Sequence, residues 1–144
     1  MIRTLARALR LPVAPPPPPI ALGIPDGRLT PCPPTPNCVS SQADRGDTEH
    51  WVAAIEGRGS RAATMRVAVE AVKQEPGVRI VVAEDRYLRA ECETPLMRYV
   101  DDLELLWDDE TRSLHVRSSS RVGRSDLGAN RARVERLRRR IATG

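Results

Sequence analysis

Apolar and polar residues alternate most clearly in the middle of the chain. Val78, Ile80 and Val82 alternate with Arg79 and Val81, and Leu88, Ala90 and Cys92 alternate with Tyr87, Arg89 and Glu91. This is the two-residue period of half-buried strands. Glu84-Asp85-Arg86 supplies the turn between them. Beyond Thr94-Pro95, a less regular run from Met97 to Trp107 and a shorter one from Ser113 to Ser118 flank the polar residues Asp108 to Arg112. Four antiparallel strands in a meander are the economical arrangement. Setting Trp107 opposite Leu114 places Leu105 against Val116 on the inner face and Glu104 against Arg117 on the other, so apolar and charge matching select the same register.

Helical periods flank the meander. Ser60 is a suitable N-cap for a helix to about Gln74, with Ala62, Met65, Val69 and Val72 on one stripe and Pro76-Gly77 closing it. A second helix is expected from Ser125 or Asp126, either of which suits a cap, with Leu127, Val134, Leu137 and Ile141 buried. Asn130 falls on that apolar side. The fold class is therefore α+β: a sheet of about four antiparallel strands packed on two helices, preceded by a proline-rich loop.

Toward the N-terminus the pattern changes. Ile2, Leu5, Leu9 and Val13 recur at three- and four-residue spacing among Arg3, Arg7 and Arg10, which suggests a short basic amphipathic helix. Pro15 to Pro19 then form a stiff polyproline spacer. The expected organisation is residues 1–21 as basic start and spacer, and 22–144 as one α+β domain. In 22–42, Pro25-Asp26-Gly27 marks a turn, and the later prolines exclude both helix and central strand. The segment from His50 to Ile55 suits a short edge strand.

Of the 144 residues none is Phe, and only two are Trp and two Tyr, so the core must be aliphatic. The net charge is +4, and six arginines crowd positions 131–140; they read as the solvated face of a helix. No stretch reaches the ~20 apolar residues of a membrane span. Met1 to Val13 has no continuous apolar block, so a secretory signal is not expected and a cytoplasmic place follows.

Candidate chemistry is sparse. Cys32 and Cys38 are close enough in sequence for a local disulfide. His50 and His115 lack partners at metal-ligand spacing, so no metal is expected. Asp101 and Asp102 are adjacent on a strand and point to opposite faces, which disfavours a paired-carboxylate site. No phosphate-cradling glycine loop is present, no cofactor is indicated, and the basic tail lacks the interleaved aromatics of single-strand nucleic-acid binders. Arg117, Ser118, Ser120, Arg121, Ser125 and Asp126 gather at the mouth of the last helix, where free N–H groups favour an anion. Asp101, Asp102 and Glu104 on the neighbouring strand offer the competing outcome, an internal ion-pair network.

The segments LGIPDGRLTPCPPTPNCVSSQ (22–42), YVDDLEL (99–105) and HVRSSSRVGRSDLGANRARVERLR (115–138) resemble a bacterial and plastid family catalogued as domain of unknown function fourteen ninety-nine. The resemblance spans about Leu22 to Arg138 and rests on Cys32, Asn37, Cys38, Ser40 and Ser41, then Asp101 and Asp102, then Arg117, Ser118, Ser120, Arg121, Asp126 and Asn130. It implies no assigned activity, and it makes an envelope location the alternative to the cytoplasm. Together these features suggest that the proline-rich loop folds over the last strand-to-helix junction. The hollow so formed would be polar, with Cys32, Asn37, Cys38, Arg117, Arg121, Asp126 and Asn130 around it. The leading expectation is a non-catalytic binding or structural domain holding a small anion or a partner's acidic group through Arg117, Arg121, Ser118, Ser120, Asp126, Asn130 and Asn37. The alternatives are a hydrolytic enzyme using Cys38, with His115 and Asp101, and a peripheral protein touching membrane through residues 1–13.

Overall fold

The computed structural model describes residues 23–123 and 125–144. The proposed basic helix and polyproline spacer lie outside them. The elements in chain order are β1 (Cys38–Ser40), β2 (Ile55–Glu56), α1 (Arg61–Lys73), β3 (Val78–Ala83), β4 (Tyr87–Glu93), β5 (Val100–Asp108), β6 (Ser113–Ser120) and α2 (Ala129–Thr143). The fold is α+β: β3 to β6 form the antiparallel meander, and β1 and β2 both pair with the far side of β6 to complete six strands. The expected register holds, with Glu104 opposite Arg117, Leu105 opposite Val116 and Trp107 opposite Leu114.

Both helices lie on one face, where Leu88, Ala90, Leu103, Leu105, Leu114 and Val116 meet Ala68, Val72, Val134, Leu137 and Ile141 in the main core. A smaller cluster of Leu29, Tyr87 and Leu106 lies on the opposite face with Val82 packed against it. β5 is therefore buried along both faces. A bulge between Ile80 and Val82 explains why Val82 does not share a face with Val78 and Ile80, as strict alternation predicts.

Several other expectations are corrected. Cys38–Ser40, expected as part of the proline-rich loop, forms a strand; it lies at the sheet edge just beyond the last proline, so the exclusion of a central strand stands. The edge strand expected at His50–Ile55 shrinks to a bridge between Ser40 and Trp51 and the two residues of β2. Ser60 does cap α1, accepting the Ala63 N–H at 3.1 Å. The buried stripe there is Thr64, Met65, Ala68, Ala71 and Val72, whereas Ala62 is exposed and Val69 only half-buried. α2 begins at Ala129, behind a left-handed Gly128, and Leu127 is 97% exposed instead of buried. The N-cap is thus Gly128, not Ser125 or Asp126; Asp126, two residues earlier, still serves the helix start, its carboxylate accepting the N–H groups of Gly128 at 2.8 Å and Asn130 at 3.0 Å.

The basic run on α2 is not a solvated face. Arg131 donates to the carbonyls of Thr48, Glu49 and Trp51, and Arg138 donates to those of Ala53 and Ala54, fastening the segment 48–54 to the helix. Arg133, Arg136 and Arg140 gather on Glu75, whose side chain is 1% exposed. Glu75 and Asp101 are buried carboxylates, and these arginines supply the donors and charge they need.

Candidate functional site

The proline-rich loop does reach the junction between β6 and α2. The Asn37 side chain donates to the Gly123 carbonyl at 2.7 Å, and the Asn37 carbonyl accepts the Ser120 N–H at 3.0 Å and the Asn130 amide at 3.2 Å. Cys32 and Cys38 form a disulfide that closes this loop. Cys38 therefore has no free thiol to act as a nucleophile. Asp101 is also on the helix side of the sheet, where it pairs with Arg133, whereas His115 sits on the opposite face. The remaining cysteine, Cys92, is 1% exposed, and burial pushes its thiol up to about 11, which leaves it unreactive.

The residues expected around one hollow divide between two faces, because successive strand residues point oppositely. Ser118 and Ser120 face the helices, and Arg117 and Arg121 face away. On the helix side, Asn130 is fully buried and satisfied. Its Oδ1 accepts from the Ser118 hydroxyl at 2.7 Å and from Arg133 at 2.8 Å, and its Nδ2 donates to Asn37 O, Ser120 Oγ and Asp126 Oδ2. This hub joins the loop, β6 and α2.

On the other face, Arg121 bonds bidentately to Asp102 at 2.8 and 2.9 Å and also binds Glu91. Its hydrogen bonds to Asp102, opposed in part by burial, hold the guanidinium above the usual arginine value. The adjoining row, Arg89–Glu104–Arg117, runs straight across three strands. Glu104 Oε2 accepts from the Tyr87 hydroxyl at 2.5 Å and from the Gly23 N–H at 3.0 Å. Burial, with the hydrogen bond to Glu104, raises the Tyr87 hydroxyl far above its ordinary value, so it stays a donor. Arg117, 5% exposed, reaches Glu104 Oε1 only at 3.6 Å, beyond hydrogen-bond distance. Arg89 Nε, Glu104 Oε1 and Arg117 Nε are all buried without a hydrogen-bond partner among the described residues. Burial lowers the Arg117 guanidinium, and Glu104 partly offsets this.

Sequence reasoning passed over two features. His50 Nε2 faces the Thr35 carbonyl at 2.8 Å and Nδ1 faces Asp47 Oδ2 at 2.7 Å. Two acceptors demand two donors, so this ring is an imidazolium. The Thr35 carbonyl, ahead of Asp47, raises its pKa against the opposing effect of burial. Its stabilisation is complete below the value of an unfolded histidine, about 6.5, and disappears as pH rises through the higher native value. The destabilisation caused by His50→Gln is therefore expected to be larger at pH 5.5 than at pH 8.5, read from urea midpoints at each pH. The second feature is a hydrogen-bonded series: Ser41 Oγ lies 3.1 Å from His115 Nδ1, and His115 Nε2 lies 3.1 Å from Asp108 Oδ2. The β5–β6 register places His115 near Asp108, but no periodicity or spacing in the sequence brings Ser41 to them.

Among the described residues, no cluster of three or more His, Cys, Asp or Glu suits a metal, and no helix is long and apolar enough to cross a membrane. No curated protein matches the chain. The family model described as "protein of unknown function (DUF1499)" matches residues 28–141, a span that takes in the disulfide loop, the whole sheet and nearly all of the last helix; the chain belongs to that family.

Proposed function

We propose that the chain is a binding domain that holds an acidic group, a carboxylate or an inorganic oxyanion, on Arg117. The single observation that carries this reading is an unmet donor. Arg121, Ser118, Ser120, Asp126, Asn130 and Asn37 all have protein partners. Arg117 alone in this group keeps a buried nitrogen, Nε, without a hydrogen-bond partner among the described residues. Its row places two guanidinium groups beside one carboxylate, and a buried cation strongly favours an added anion. The Cys32–Cys38 disulfide supports an oxidising compartment, the envelope, over the cytoplasm.

The test is thermal unfolding and calorimetric titration with phosphate, sulfate and succinate. A bound anion raises stability by RT ln(1 + [L]/Kd). Arg117→Gln alone strands Glu104, so the comparison variant is Arg117→Gln with Glu104→Gln, which leaves the row with a single charge. A concentration-dependent stabilisation in the unaltered protein that this double variant lacks supports the reading. Equal stabilisation in both, or none in either, overturns it.

A further inference from the structure

We propose that Ser41 is a nucleophile, with His115 as its base and Asp108 as the group that orients the base, and that the chain hydrolyses small carboxylic esters. The three side chains come from separate places: Ser41 just past β1, His115 in β6 and Asp108 at the end of β5. The sheet brings them into one series, with 3.1 Å from Ser41 Oγ to His115 Nδ1 and 3.1 Å from His115 Nε2 to Asp108 Oδ2. A nucleophile in contact with a base, and that base held by a third group, is the arrangement such chemistry requires.

Proton positions follow from the surroundings. Burial alone would raise the Asp108 carboxyl, but the Glu110 N–H and His115 outweigh it and hold the group below the usual carboxylate range. Its Oδ1 also accepts the Glu110 N–H at 2.9 Å. An ionised Asp108 only accepts, so the neutral imidazole carries its proton on Nε2 and turns the Nδ1 lone pair toward Ser41. Ser41 Oγ accepts the Val116 N–H at 2.9 Å, which leaves its own proton for Nδ1. Relative to the serine-protease triad the two ring nitrogens exchange partners, but each role is kept. The His115 and Asp108 side chains are 20% and 26% exposed, so the series is open to solvent, unlike the disulfide-bonded Cys38.

In the first step Ser41 Oγ bonds to the ester carbonyl carbon and its proton passes to Nδ1. The imidazolium, balanced by Asp108, returns that proton to the departing alkoxide, leaving an acyl-serine. Water then gives a proton to Nδ1 as its oxygen bonds to the acyl carbon; the acyl carbon–Oγ bond breaks, Nδ1 returns that proton to Ser41 Oγ, and the carboxylic acid leaves with serine and neutral imidazole restored. Only ester and water are consumed.

The experiment treats the full chain with a fluorophosphonate probe and with p-nitrophenyl acetate. The expected results are one covalent adduct on the peptide containing Ser41, found by mass spectrometry, and turnover of the ester. Ser41→Ala should abolish both, and His115→Gln should slow labelling roughly a hundredfold. Ser41→Ala also removes the acceptor for Val116 N–H, so Ser41→Cys is added: it keeps a nucleophile at the same place and should be acylated by the ester. No adduct on the unaltered protein, or one that persists in Ser41→Ala, overturns the proposal. The neutral ester does not need Arg117, so this failure is separate from failure of the anion-binding reading.

Discussion

Glu75→Gln is expected to destabilise the protein by about 3 kcal/mol, the lower end of the cost of removing one partner from a buried ion pair. Glu75 sits just beyond α1, 3% exposed, and holds three arginines from successive turns of α2. Arg136 binds it through two nitrogens at 2.7 and 3.2 Å, and Arg140 binds Oε2. Arg133 Nε is 3.4 Å from Oε1 and makes no hydrogen bond there. Without the carboxylate charge, three guanidinium groups remain, with Asp101 the nearby anion that bonds Arg133. The lower figure applies because the Arg136 and Arg140 side chains are 37% and 23% exposed and can turn toward water. The matching change at the exposed Lys73–Glu70 pair, Glu70→Gln, should cost under about 0.5 kcal/mol. The sign with pH is also fixed. Burial would raise the Glu75 carboxyl, but Arg136 and Arg140 outweigh it and lower it. Its contribution is therefore present above the unfolded carboxyl value, about 4.3, and is lost as pH falls through the lower native value. Urea midpoints for Glu75→Gln and the unaltered protein should differ most near neutral pH and converge in acid.

Glu75 also shows where sequence reading stops. The spacing of Arg133, Arg136 and Arg140 places them on one helix face, and that much was legible. The partner was not, because a lone glutamate before Pro76 carries no signal that α1 ends against α2. The register of β5 and β6 was legible because two independent patterns agreed: Leu105 with Val116 on one face, and Glu104 with Arg117 on the other. The charged face was not recognisable as buried, since the Leu29 segment that helps cover it is distant in sequence. Leu127 was misread by extending the helical period upstream of Gly128, where left-handed backbone breaks it. The stripe of α1 was misplaced because apolar residues surround much of that helix, so packing rather than pattern selects Ala68 and Ala71 over Ala62 and Val69.

The candidate site divides in the same way. That the loop meets the strand-to-helix junction came from joining the polar motifs of the family resemblance to Asn130, a polar group on an apolar helix side that demands partners. Assigning Arg117 and Arg121 to the same hollow as Ser118 and Ser120 overlooked strand parity, which was available from the sequence itself. The legible register of β5 and β6 already sets His115 diagonal to Asp108 on one face, but Ser41 could not be joined to them, since its place depends on β1 pairing with β6 after a run of prolines.

Asn130→Ala should cost about 3 kcal/mol, comparable to Glu75→Gln but by another mechanism. The Asn130 side chain is fully buried and bonds Asn37, Ser118, Ser120, Asp126 and Arg133. Alanine leaves these groups to find other partners where water is excluded, and opens a small void. Ser118 and Arg133 still bond each other at 3.0 Å, which limits the loss on the acceptor side of the amide. The Asn37 carbonyl keeps the Ser120 N–H, so the least compensated group is the Asp126 carboxylate, which loses one of its donors. Asn130→Asp should be worse at neutral pH, because it removes both amide donors and sets a second carboxylate 2.7 Å from where Asp126 now accepts a hydrogen bond. Lowering the pH should recover part of that loss as one carboxyl takes up a proton and donates to the other, an effect Asn130→Ala cannot show. Guanidinium unfolding of both variants at pH 7 and pH 4.5 separates the outcomes. An alanine variant within about 1 kcal/mol of the unaltered protein would mean that the loop, β6 and α2 are held together by their apolar contacts and the disulfide, and that the amide hub is incidental.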